Sequence, residues 1–136
     1  MFPLLLIYGD WSIFILRLIL GTILVVHGWP KIKDIKGTST WFNSAGFKPG
    51  HIWAPIVAVV EFFGGLFLIL GILVQPVALL LTIQFLVILI WKISAKQKFV
   101  GNLELDLILF TGILVALTVE TNINLLNMFY WLGILK

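Results

Sequence analysis

Cysteine is absent from all 136 residues. That excludes thiol–disulfide exchange, cysteine-ligated zinc and iron–sulfur clusters as chemistry of this chain. Charge is scarce as well. Asp, Glu, Lys and Arg make up 11% of the residues, against roughly 25% in a soluble domain. So little polar surface cannot cover a core in water. With 61% hydrophobic residues and a mean hydropathy of +1.15, lipid is the solvent this chain suits. The net charge of +3 comes without a basic stripe or groove-reading motif, so the lysines point to lipid headgroups and topology and not to nucleic acid. Residues 1–11 have no basic segment ahead of an apolar run and no small-residue cleavage site, so a cleaved signal peptide is not expected.

Four apolar stretches are present instead: Trp11 to Trp29, Ile52 to Val74, Pro76 to Ile93 and Leu103 to Val119. Each is close to the ~20 residues that cross a ~30 Å hydrocarbon layer as a helix. The alternation that barrel strands require is missing. Helix is the conformation that satisfies the backbone in lipid. The expected fold is therefore an all-α membrane protein, a four-transmembrane-helix bundle forming one domain over residues 1–136. A tight hairpin at Leu73-Val74-Gln75-Pro76 joins spans two and three, with proline at a helix start. The longest connection, Pro30 to His51, holds Ile32, Ile35, Trp41 and Phe42 among lysines and reads as an interfacial segment. The tail from Glu120 to Lys136 is too short to span and reads the same way.

Trp11, Trp29, Trp53, Trp91 and Trp131 fall at or beyond span ends, as in an aromatic belt. Loops one and three share one side and hold Lys31, Lys33, Lys36, Lys48, Lys92, Lys96 and Lys98. The other side has Asp10, a lysine-free hairpin, Glu120 and Lys136. Positive-inside logic places both termini outside the cytoplasm, in a multi-pass protein of the cell membrane.

Two charged residues stand well inside spans: Arg17, the single arginine, and Glu61. Such groups are costly in lipid and face the bundle interior. At about 100° per residue, Arg17, Gly21, Gly28 and Lys31 share one stripe of span one. Glu61 and Gly65 share one stripe of span two, with Gly64 and Gly71 beside it. These glycines are expected to let helices approach closely. Depth counted at ~1.5 Å per residue puts Arg17 and Glu61 within ~10 Å of each other along the membrane normal, and Gln84 level with Arg17. The expectation is a buried polar cluster of Arg17, Glu61 and Gln84. It serves either as a register-setting pair or in binding and proton handling. A second layer of His27, Lys31, Glu104 and Asp106 is expected nearer the cytoplasm, although acids in a first helical turn are also ordinary dipole chemistry. His27 reads as a satisfied buried histidine, or one that titrates against Glu104 or Asp106, ahead of a bis-histidine haem shared with His51. No metal site is expected, and catalytic residues are not assigned.

These same residues carry a likeness. Arg17-Leu-Ile-Leu-Gly21, His27-Gly28-Trp-Pro-Lys31, Trp41-Phe42 with Gly46, and Glu61-Phe-Phe-Gly64-Gly65 through Leu70-Gly71-Ile72 resemble the DoxX family of small bacterial and archaeal membrane proteins. The likeness runs from about Arg17 to Val119 and includes an acidic residue, Glu104, opening the fourth span. Gln75 stands where the family often has a basic residue. Thr118-Val-Glu120-Thr-Asn122 replaces its glycine-rich close. Some members of the family are subunits of thiosulfate:quinone oxidoreductase, and others belong to membrane complexes linked to quinone or oxidative stress. The resemblance implies an accessory subunit of a quinone-linked redox system. It would hold no redox cofactor of its own, bind quinone, and take electrons from a redox partner subunit, or act as a homo-oligomer. The competing readings are a non-enzymatic scaffold or assembly subunit, and a small transporter component.

Overall fold

A computed structural model describes residues 8–119 and 125–132. The expectations for Glu120, Asn122 and Lys136 lie outside the described residues. The first helix, α1 (Gly9–Lys33), has Asp10 in its first turn and Lys31 and Lys33 in its last, each sign complementing the helix dipole. Asp34 ends α1 and starts α2 (Ile35–Ser44). Its carboxylate accepts from the Gly37 N–H at 2.9 Å, which caps the new helix. The interfacial segment expected in loop one is thus a helix. Phe42 is its buried residue.

The elbow from α2 into α3 (Gly50–Leu70) is closed by Asn43, whose Oδ1 accepts from the Gly50 N–H at 2.7 Å. Helix α3 ends at Gly71, which adopts φ 76°, a left-handed turn that glycine enters without steric cost. The Gly71 and Ile72 N–H groups both donate to the Phe67 carbonyl. The next helix, α4 (Val74–Ser94), follows at once. The hairpin therefore turns at Gly71–Leu73, earlier than the Leu73–Pro76 turn read from sequence. The apolar run through Ile72 and Val74 disguised the stop, and Gly71 caps a helix where helix packing was expected of it. Pro76 still falls in the first turn of α4, where a missing N–H costs little.

A wide turn, Phe99–Leu103, leads into α5 (Glu104–Thr118). A short helix, α6 (Leu125–Trp131), lies in the expected tail. Four helical segments, Gly9–Lys33, Gly50–Leu70, Val74–Ser94 and Phe99–Thr118, are long and apolar enough to cross a membrane. The architecture is an all-α four-helix membrane bundle. Ile15, Ile19, Val26, Ile90 and Ile108 point outward, where lipid replaces water as their neighbour.

The core joins Leu20, Leu24, Leu68, Leu81, Phe85 and Ile113. Helices α1 and α3 meet through glycine. A Cβ on Gly21 would stand 2.5 Å from the Gly65 carbonyl oxygen, and one on Gly65 would stand 2.7 Å from that of Gly21. Gly28 faces Phe62 just as closely, with its Cβ position 2.7 Å from the Phe62 nitrogen. The stripe of small residues is therefore a backbone-to-backbone seam.

Candidate functional site

That seam sets the register of the charged residues. Gly28 lies against Phe62 and Gly21 against Gly65 and Ile69, so the residue of α1 level with Glu61 is near Gly28. Lys31 is one turn away. Helical side chains lean toward their own N-terminus. In an antiparallel pair the Lys31 and Glu61 side chains therefore lean toward each other. The Lys31 ammonium donates to Glu61 Oε2 at 2.5 Å, and the Gln84 amide Nε2 on α4 donates to Glu61 Oε1 at 2.9 Å. Glu61 is among the most buried side chains of the bundle. A carboxylate so deep is held by donors on both oxygens.

The cluster differs from the one read from sequence. Lys31 takes the place beside Glu61 that was expected for Arg17. Arg17 is buried in α1, eleven residues or about 16 Å of helix from the level of Glu61. Depth counting from span ends placed the two too close, because α1 begins at Gly9 and continues through Pro30 to Lys33. Gln84 is level with Glu61 and not with Arg17, as its hydrogen bond shows.

The second layer is also redistributed. Asp106 pairs with Lys92 of α4, whose ammonium also donates to the Asn102 carbonyl at 2.6 Å. Glu104 turns away and accepts from the Gly101 N–H at 2.9 Å, which is local capping of α5. His27 is exposed, where a buried histidine was expected, and lines the same cavity as Asp106. Lys92, expected only among the lysines that set topology, joins the site; its place in the last turn of α4 is the available signal.

Lys31, Glu61, Gln84, His27, Lys92 and Asp106 all border one cavity of about 1120 Å³. Its remaining walls are largely apolar, from Leu24 and Val60 to Ile88 and Leu109. Toward loops one and three an aromatic floor lines it, beside Lys48, Gly101 and Asn102. Trp41, Phe42, Phe47 and Trp91 follow one another with ring centroids 5.4–5.8 Å apart. The Trp91 indole N–H donates to the Ala45 carbonyl at 2.9 Å, tying α4 to the end of α2. Among the described residues no three His, Asp or Glu side chains gather in a metal-binding group. What the cavity offers is hydrogen-bond donors and two paired carboxylates, Glu61 and Asp106, in an otherwise largely apolar chamber.

Four apolar helices around a cavity with a charged roof define a multi-pass membrane protein. The chain belongs to the DoxX family, whose model matches residues 12–93. That stretch contains Lys31, Glu61 and Gln84, whereas Asp106 lies beyond it. The chain is similar to the protein of Bacillus subtilis (strain 168) named "Putative oxidoreductase CatD", with 34% identity over 105 residues, 76% of each chain. It is also similar to "Inner membrane protein YqjF" of Escherichia coli (strain K12), with 31% identity over 70 residues, 52% of each chain. No solved structure matches this chain.

Proposed function

We propose that this chain is an accessory subunit of a quinone-linked membrane redox system, and that its cavity holds the quinone. The cavity itself carries this reading. A quinone needs apolar walls, donors to its carbonyl oxygens and a group that can pass protons. The walls are aliphatic and aromatic. The Lys31 ammonium and the Gln84 amide are donors already aimed at one point, and Glu61 between them is the proton-carrying group. A bound quinone would supply two-electron acceptance; this chain would orient it, keep water from it and hold a proton at the Glu61 carboxylate. Electrons come from a partner chain. The name of the Bacillus relative supports a redox setting. Purification in mild detergent followed by organic extraction tests the reading. Quinone is expected at near one equivalent per chain, and its absence from a folded preparation in quinone-rich membranes would remove the basis for it.

One observation favours a scaffold instead. The two ion pairs found among the described residues each join two helices, α1 to α3 and α4 to α5, as interhelical glue would. A second copy or a client protein co-purifying without quinone would support that alternative. The lysines of loops one and three further support a cytoplasmic position for that end of the bundle, with both termini outside. Reporter fusions after Leu132 and within Ser94–Asn102 should report outside and inside respectively; the reverse pattern would refute this orientation.

A further inference from the structure

The cavity is bordered by residues that also face lipid. On α3, Trp53, Val57, Val60 and Gly64 recur at helical spacing and form the stripe turned toward α4. On α4, Leu80, Ile83, Val87 and Trp91 form the edge turned toward α3. All but Gly64 line the cavity. Trp53 and Ile56 on α3 are 46% and 47% exposed, and Leu80, Ile83 and Val87 on α4 are 56%, 52% and 46% exposed. A residue that lines the chamber and is half exposed on a lipid-facing edge marks an opening. The two helices converge at the other end, where a Cβ on Gly64 would come 3.2 Å from Leu81 Cδ1. One turn from that contact, Gln84 bonds Glu61 across the gap. Beyond it, toward loops one and three, the facing residues Val57, Val60 and Ile88 border empty space. The crevice between α3 and α4 is thus a wedge, sealed at its apex by a glycine contact, with the polar group just below the apex and apolar edges open to the side.

Resting on the quinone reading above, we infer that the cavity is loaded sideways from the bilayer, through the gap between α3 and α4, by a lipid-soluble molecule with one carbonyl-bearing ring and a hydrocarbon tail. The ring sits beneath Gln84, Glu61 and Lys31. The tail stays in the gap among Ile56, Ile83 and Val87 and continues into lipid. The wedge fits such an asymmetric molecule: Gln84, Glu61 and Lys31 stand together near its apex, and its lateral edges, Ile56, Leu80, Ile83 and Val87, are apolar. On the loop side the linked rings of Trp41, Phe42, Phe47 and Trp91 line the chamber, beside Lys48, Gly101 and Asn102. At about 1120 Å³, the chamber is slightly larger than the ~300–1,000 Å³ of ordinary ligand sites, enough for a ring and the start of a tail.

The test uses the full chain in lipid nanodiscs and two probes, a decyl-tailed benzoquinone and the same ring without the tail. Binding is read by quenching of the native tryptophans, corrected with empty nanodiscs. The Ile56→Phe/Val87→Phe variant narrows the gap. It should weaken the tailed probe at least about tenfold, roughly 1.4 kcal/mol, and leave the tailless probe within about twofold. Leu105→Phe, on the α5 edge of the same chamber, should change neither. An unchanged melting temperature confirms that both variants are folded. Unaltered binding of the tailed probe in the double variant, equal loss of both probes there, or loss in Leu105→Phe instead would each overturn the sideways route while leaving a quinone site standing. Wild type that binds neither probe would overturn the quinone reading and the route together.

Discussion

Helix α3 meets its two long neighbours in opposite ways. Toward α1 it presents Gly65, and the two backbones touch. Toward α4 it presents Trp53, Val57 and Val60, and a chamber separates the helices. The first interface is fixed by shape and has no slack. The second is held at its apex by the contact of Gly64 with Leu81 and, one turn below, by the hydrogen bond from Gln84 to Glu61, and is open beyond. In lipid no hydrophobic driving force closes such a gap, because a lipid tail is as apolar a neighbour as another helix. Side-chain size alone therefore decides which face of α3 seals and which stays available to a ligand. Glu61 sits where the two regimes meet, its one oxygen bonded across the seam to Lys31 and the other across the crevice to Gln84.

The sharpest way to break this contrast is to remove one charge at the junction. Lys31→Met strands the Glu61 carboxylate, whose side chain is 3% exposed, and should cost about 3 kcal/mol of stability. Glu61→Leu should cost only about 1 kcal/mol, because the Lys31 side chain, 32% exposed, can swing to the headgroups. The double variant should recover most of the larger loss. Denaturation in mixed micelles measures this cycle. The same cycle run on Arg17→Met and Glu61→Leu should be additive within about 0.5 kcal/mol, as for distant sites.

Next in size is the seam. Gly65→Val drives a branched side chain into the Gly21 carbonyl and should lose about 2 kcal/mol by the same assay. A smaller effect is expected at the floor. Trp91→Phe keeps the ring but loses the bond to Ala45, about 1 kcal/mol, and should speed backbone hydrogen exchange in α2 more than in α3. Smallest is Gly64→Ala on the crevice side. Its new methyl meets only the flexible Leu81 side chain, and the gain in helix propensity offsets the crowding, leaving stability within about 0.5 kcal/mol of wild type. Comparable losses at Gly64 and Gly65 would erase the distinction between the two faces.

Much of this was legible in the residues. Apolar run lengths gave the four spans because lipid thickness dictates helix length, and the spacing of Gly21, Gly28 and Gly65 announced a close seam. Glu61 was recognisable as a buried polar centre because a carboxylate inside a span must face protein. Its partner was not. Choosing between Arg17 and Lys31 requires knowing how α1 is shifted against α3, and that shift is set by contacts such as Gly28 on Phe62 that no single helix reveals. For Glu104 and Asp106 the residues allowed either a polar layer or ordinary first-turn chemistry and could not divide the two: Glu104 caps the turn at Gly101, as first-turn chemistry has it, and Asp106 reaches Lys92. The chamber itself depends on which valines line up across an antiparallel hairpin. The early stop at Gly71 moves that register.

The most direct measurement is quinone binding by the Lys31→Met/Glu61→Leu double variant, which removes both charges and leaves the fold intact. If the pair forms the polar roof of a ligand site, this variant should keep nearly the wild-type melting temperature and lose the tailed benzoquinone by at least about tenfold. Wild-type affinity in that stable variant would show that Lys31 and Glu61 hold helices together and nothing more.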